Sequence, residues 1–352
     1  MRVLFLCVGL LGACDSASSE LPDPTCGGAA PYAARGPMAV GVRTIAVGAL
    51  AVEVWYPAVD AARNVLSPYD VRDWLTEEGM SKVSPGVLKF NQEAARDADP
   101  LPGPFPVLVF SHGLSAYRSQ STFLTTHLAS HGWVVLAPDH LGRGLAALLA
   151  GQVPDFESAP RELLEVVAFT RGPRDPRLPE LDSMKLALAG HSAGSAASAA
   201  AAREASAAFW LGMAGNASDP EPTSRAVFMA GSSDDTVLAS ATRSAFETYT
   251  STRSYYELNG AGHLVFSDIC EIAKDRGGLV GVAKDSGVTV NPLLLELGKD
   301  GCEPGELPAS AAWPPIRHFV TAALTRTFEP TREVVDDEIA AQCFGAVIRD
   351  RR

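Results

Sequence analysis

Residues 184–205 read MKLALAGHSAGSAASAAAAREA. The run Met184–Ala189 is apolar but for Lys185 and closes on Gly190, which is how a short buried strand reads. From Ala193 to Ala205 small residues dominate, alanine above all, and alanine is the strongest helix former. Between the two lies Gly190-His191-Ser192-Ala193-Gly194, so the segment is a strand, a tight turn and a helix. A Gly-x-Ser-x-Gly string in that setting places its serine on a strained turn, with glycines where a side chain would collide with neighbouring backbone. The serine hydroxyl is then lifted clear, above the first amides of a helix whose dipole favours negative charge. Ser192 is therefore the candidate nucleophile.

A serine hydroxyl attacks only when a base removes its proton and an acid group orients that base. Working outward from the turn, the strand 226–230 is followed by Gly231-Ser232-Ser233-Asp234-Asp235, and the strand 254–258 by Gly260-Ala261-Gly262-His263. Both lie at the C-terminal ends of strands, where catalytic groups of open α/β sheets gather. Asp234 is the expected acid, with Asp235 as the alternative, and His263 the expected base. His191 reads as a packing residue because adjacent side chains diverge. His127 and His131 read as partners of a helix C-terminus, and His140 and His318 as structural. The oxyanion of the tetrahedral intermediate needs two backbone donors. Ala193 N–H is one, and the loop Ser111-His112-Gly113-Leu114-Ser115 after an early strand offers Leu114 N–H as the other.

The rest of the chain alternates. Strands are expected within 44–56, with a turn near Gly48, and at 106–110, 133–137, 184–189, 207–213, 226–230 and 254–258. Helices are expected at 121–130, 161–169, 193–205, 240–249 and 315–327. Apolar strands without polar alternation suit a mostly parallel sheet buried by helices on both faces, an α/β architecture in a single domain. The stretch 57–104 is weakly patterned. Residues 37–330 form the expected catalytic domain, with an insertion at 266–312, and 331–352 a C-terminal extension.

The 352 residues carry a net charge of −12 and no long basic run, which removes nucleic acid as a partner. No protein partner is expected either. The N-terminus has signal anatomy: Arg2, then an apolar run Val3–Leu11, too short for the ~20 residues of a membrane span. The string Leu11-Gly12-Ala13-Cys14 resembles the lipobox of bacterial lipoproteins. That resemblance implies a signal peptide over 1–13, lipidation of Cys14, a flexible tether over 14–36 and a lipid-anchored place in the bacterial cell envelope, with simple secretion as the alternative. Of the six cysteines, at 7, 14, 26, 270, 302 and 343, four would remain. Cys270 and Cys302 bracket the Gly-rich insertion and are expected to pair, leaving Cys26 for Cys343. There is no Cys-x-x-Cys pair, and no metal or cofactor is expected.

The stretch Pro106–Asp139, PVLVFSHGLSAYRSQSTFLTTHLASHGWVVLAPD, with GHSAG and GAGH downstream, resembles the platelet-activating factor acetylhydrolase family. Bacterial dienelactone-hydrolase-like esterases and cutinase-like polyester hydrolases look similar over the same stretch. The resemblance implies an α/β-hydrolase fold over roughly 40–330, a calcium-independent serine esterase, and Leu114 with Ala193 as the oxyanion pair. It favours short-acyl lipid or small esters as substrates. The alternatives are a polyester or cutin-type hydrolase, and an envelope lipoprotein that uses the fold for binding alone.

Overall fold

The computed structural model describes residues 25–216, 223, 225–345 and 347–351. The expected signal segment and Cys14 lie outside the described residues. In chain order the strands are β1 (Ala39–Val47), β2 (Leu50–Ala58), β3 (Ser67–Asp70), β4 (Lys89–Gln92), β5 (Ala95–Arg96), β6 (Phe105–Ser111), β7 (Val134–Pro138), β8 (Leu181–His191), β9 (Phe209–Met213), β10 (Arg225–Gly231), β11 (Thr252–Leu258) and β12 (Ile348–Arg351). The helices are α1 (Glu77–Lys82), α2 (Thr122–Ser130), α3 (Leu145–Leu149), α4 (Ala159–Thr170), α5 (Ala193–Glu204), α6 (Ala239–Thr248), α7 (Gly278–Asp285), α8 (Pro292–Leu297), α9 (Ala309–Phe328) and α10 (Asp337–Cys343).

Ten strands form one sheet in the order β12-β11-β10-β9-β8-β6-β7-β2-β1-β5. The six from β11 to β7 run parallel, while β2 and β12 join them antiparallel. The apolar runs have a simple cause. Leu108 and Phe110 of β6 face one core with Ala187 and Ala189 of β8 and with α2 and α9. Val107 and Val109, with Leu186 and Leu188, face the other core with α4, α5 and α6. Side chains alternate across a strand, so burial of both faces leaves no position for a polar residue. The alanines of α5 let that helix lie close on the sheet, with Ala201 and Ala202 wholly buried.

The structure departs from the sequence expectation at both ends and in two loops. Residues 25–36 are not free tether: Ala30 and Ala33 sit in the core against α9, and Cys26 pairs with Cys343, Cα–Cα 5.9 Å. Beyond residue 330, α10 packs on that core and β12 adds an edge strand to the sheet, so the supposed extension is part of the domain. The helix expected at 315–327 is α9, which starts at Ala309 and runs through Pro314 and Pro315, and α10 follows it. The 57–104 stretch holds the antiparallel pair β3–β4, with α1 in the connection between its strands; its mixed polarity reflects alternating burial and exposure along those strands. A third apolar cluster joins Val71, Trp74, Val83 and Leu88 of this stretch to Ile272 and Val282 of the insertion. Cys270 and Cys302 pair across the insertion, Cα–Cα 5.0 Å.

The start of the insertion is pinned by Asp268, whose buried carboxylate accepts N–H bonds from Thr122 at 2.7 Å and Phe123 at 3.0 Å, capping α2, and an O–H bond from Tyr69 at 3.2 Å. Burial pushes this carboxyl up to about 6, against the pull of those donors. An unfolded aspartate titrates near ~3.9. The folded state therefore holds a proton that the unfolded chain has released between those values, and the associated stability, present at low pH, is lost as pH rises through about 6. Asp268→Asn is neutral throughout, so the stability advantage of the unsubstituted chain in urea unfolding should shrink from pH ~4.5 to pH ~7, by ~2 kcal/mol. An advantage that grows over that interval contradicts the assignment.

Candidate active site

The turn between β8 and α5 puts Ser192 at φ 55°, ψ −126°, a region that side-chain-bearing residues occupy at a cost of ~1–3 kcal/mol. The flanking glycines are obligatory. A Cβ on Gly190 would stand 2.1 Å from Gly194 O, and one on Gly194 would stand 2.1 Å from Ser111 O. The turn is tied down by Ser192 N–H to Met213 O at 2.9 Å and by the Ser195 hydroxyl to Gly190 O at 2.9 Å. Ser192 itself is half-buried and borders a cavity of about 390 Å³.

His263 and Asp234 leave the ends of β11 and β10 as expected and meet there. His263 Nδ1–H donates to Asp234 Oδ2 at 2.9 Å, and both side chains are buried. Asp234 Oδ1 accepts N–H bonds from Thr236 at 2.9 Å and Val237 at 2.6 Å, which stabilises the carboxylate and fixes its plane. With Nδ1 protonated, Nε2 of His263 carries the lone pair. His263 and Ser192 border the same cavity. Asp235, the alternative acid, is exposed, and His263 Nδ1 pairs with Asp234 instead; the Asp235 backbone N–H donates to Asp300 Oδ2 at 3.1 Å.

Leu114 and Ala193 also border the cavity, and neither N–H has a protein acceptor among the described residues. The neighbouring Gly113 N–H is occupied, donating to Gln120 Oε1 at 2.8 Å. That bond orients the Gln120 amide, whose Nε2–H then donates to His191 Nδ1 at 2.9 Å. His191 must in turn carry its proton on Nε2, and it donates to His263 O at 3.0 Å. His191 is thus more than packing: it is a strut from the Leu114 loop to the His263 loop. Burial and the nearby His263 hold its pKa well below the usual histidine range, so the strut stays neutral.

A second polar chain supports the Leu114 loop from below and was not visible in the sequence. The buried Arg143 guanidinium donates to His112 O at 2.7 Å and to Ser111 Oγ at 2.9 Å. Ser111 O–H donates to His140 Nε2 at 2.8 Å, and His140 Nδ1–H to Glu162 Oε2 at 2.6 Å. Arg143 O accepts Ser115 N–H at 2.9 Å, where Ser115 has φ 57°. Burial pulls the guanidinium down to about 10, still protonated at neutral pH. His127, read as a dipole partner, is wholly buried and meets Thr321 Oγ1 at 3.1 Å on α9, while His131 reaches Ala34 O at 3.2 Å.

The cavity wall is apolar. Val71, Val83 and Leu88 come from the 57–104 stretch, and Leu279, Val282 and Leu294 from the insertion, which roofs the site with α7 and α8. No aspartate, glutamate, lysine or arginine borders it among the described residues.

Sheet order, helix layers and the serine turn define the α/β-hydrolase fold. Similarity to known proteins agrees. Residues 103–223 match the Hydrolase_4 family, described as serine aminopeptidase, S33. A ferulic acid esterase from Streptomyces cinnamoneus superposes with a TM-score of 0.63 at 20% identity, covering 86% of this chain and 94% of that one. Over 58 residues the chain is 41% identical to the platelet-activating factor acetylhydrolase of Cavia porcellus; the match spans 16% of this chain and 13% of that protein.

Gly190→Ala forces a methyl against the Gly194 carbonyl, and no flexible side chain is there to yield. The substitution should destabilise by ~4 kcal/mol, lowering Tm by about 6 °C or leaving the protein insoluble. A variant melting within about 2 °C of the unsubstituted protein would remove the close-packing account of the turn.

Proposed function

We propose that the protein is a carboxylic-ester hydrolase working through Ser192, His263 and Asp234. The observation that carries the reading is the opening of Ser192 and the Asp234-paired His263 onto one cavity, beside the unengaged N–H groups of Leu114 and Ala193. Ser192 Oγ attacks the ester carbonyl carbon while His263 Nε2 takes its proton, and Asp234 holds the imidazolium. The carbonyl oxygen, now an oxyanion, is held by the Leu114 and Ala193 amides at the N-terminus of α5. Collapse expels the alcohol, which leaves with the proton from His263. Water, deprotonated by His263, then hydrolyses the acyl-serine and restores the site.

An apolar cavity without charged side chains fits an uncharged, apolar ester. A free α-amino group, as in an aminopeptidase substrate, would enter without a carboxylate to pair with, at a heavy desolvation cost. A phospholipid phosphate likewise meets no lysine or arginine in the cavity among the described residues and would stay at its mouth. Ser192→Ala should lower kcat on nitrophenyl butanoate by at least ~10³-fold. In the unsubstituted chain kcat/KM should rise from the acetate to the hexanoate, by up to ~4-fold per methylene at ~0.8 kcal/mol each. Full activity in the alanine variant would end the serine mechanism, and a preference for acetate would end the apolar-cavity assignment.

The lipobox-like Leu11–Cys14 string supports tethering of the enzyme to a membrane by acylation of Cys14, within reach of lipid esters. Expressed in a bacterium, the unsubstituted chain should then appear in the detergent-extracted membrane fraction, and Cys14→Ser in the soluble fraction or unprocessed. Equal membrane partition of the two would count against the anchor.

A further inference from the structure

Asp300 stands near the end of the insertion, half-buried and outside the cavity wall. Its Oδ1 accepts the backbone N–H of His263 at 2.8 Å. Its Oδ2 accepts three bonds from the loop that carries Asp234: Asp235 N–H at 3.1 Å, Thr236 N–H at 2.8 Å and the Thr236 hydroxyl at 2.6 Å. Its own carbonyl accepts Leu264 N–H at 2.8 Å. One residue from the insertion therefore binds the acid loop and the base loop at once.

The approach is as close as backbone allows. A Cβ on Gly262 would stand 2.4 Å from Gly301 N and 2.7 Å from Asp300 Oδ1. Gly301 has φ +96°, and a Cβ there would stand 2.9 Å from Leu264 N. Glu306 Oε2 holds the far side, accepting Gly301 N–H at 3.1 Å and Glu303 N–H at 2.7 Å, and the Cys270–Cys302 disulfide anchors the neighbouring residue. Apart from the Asp234–His263 bond itself, the loops share two other direct bridges among the described residues, Ser233 N–H to Ala261 O at 2.9 Å and Gly260 N–H to Ser232 Oγ at 2.9 Å. Both precede Asp234 and His263 in their loops, and so fix the roots of the loops rather than the segments that carry the acid and the base.

We infer that Asp300 is a positioning residue for the site: it sets the spacing of the two loops at which His263 Nδ1–H meets Asp234. The kinetic part of this inference rests on the ester-hydrolase reading, whereas the geometric part does not. Asp300 borders no substrate space, so its loss should spare binding and slow turnover. Small misplacements of catalytic groups cost ~10²-fold in rate. The insertion is then not a mere roof over the cavity: it is a third support of the catalytic groups, alongside the sheet and the His191 strut.

The test compares Asp300→Ala and Asp300→Asn with the unsubstituted full chain. Two quantities are measured: kcat and KM on nitrophenyl butanoate, and the downfield proton signal of the His263 ring Nδ1–H, assigned by its absence in His263→Gln. For Asp300→Ala the expected result is kcat lowered about 100-fold with KM within about threefold, and a ring signal lost to exchange or shifted. Asp300→Asn keeps one acceptor oxygen and should lie between. If the alanine variant does not fold, the isosteric asparagine variant decides by the same two readouts. A variant that keeps the ring signal unshifted overturns the inference whatever its activity, as does one with kcat within about threefold of the unsubstituted chain. An unsubstituted chain without turnover would defeat the ester-hydrolase reading alone, since the ring signal still decides whether Asp300 positions His263.

Discussion

The serine turn depends on one steric fact: backbone meets backbone at Gly190, Gly194 and Ser111 with no room for a methyl group. Three neighbouring strands and the helix after them are brought to that point. The packing over-determines a conformation that Ser192 would not otherwise keep, since strain of ~1–3 kcal/mol persists only where surroundings enforce it. The sheet core is the enforcing element. Buried alternately on both faces, β6 and β8 cannot slip in register without turning apolar side chains onto the wrong helices.

Around that turn the site is completed by loops, and polar chains hold them. Gln120 and His191 join the Leu114 loop to the His263 loop. Arg143, Ser111, His140 and Glu162 support the Leu114 loop from the opposite side. Asp300 closes the set by joining the His263 loop to the Asp234 loop. The first two chains pass through buried groups, where a hydrogen bond is electrostatically stronger than in water and an unpaired group is costly, while Asp300 is half-buried. Such networks suit a site that must keep its geometry while an apolar cavity beside it admits and releases ligand.

The parts of this arrangement that were legible in sequence are those governed by local rules. Strands buried on both faces leave unbroken apolar runs, and Gly190 and Gly194 leave a string that marks a tight turn. Asp234 and His263 follow strands directly, so strand ends located them. Asp300 follows no strand; it lies in Gly298-Lys299-Asp300-Gly301-Cys302, and only the glycines and the cysteine beside it hint at close packing. Arg143 and His140 likewise depend on tertiary burial, which carries no periodic signature. The β3–β4 pair within 57–104 and the edge strand β12 escape for a related reason: each is stabilised by what it packs against, with little pattern of its own. His191 reads as a packing residue by a local argument, the divergence of adjacent side chains, which says nothing of its partners Gln120 and His263, distant in sequence.

The central claim is that the hydroxyl at position 192 is a reactive nucleophile, poised by the turn and by His263. The most direct measurement is peptide mass spectrometry after exposure of the native protein to a fluorophosphonate. The account predicts one phosphonyl adduct per chain, on the peptide bearing Ser192, and no adduct when His263 is replaced by Gln. An unlabelled native chain, or an adduct on another residue, would contradict it.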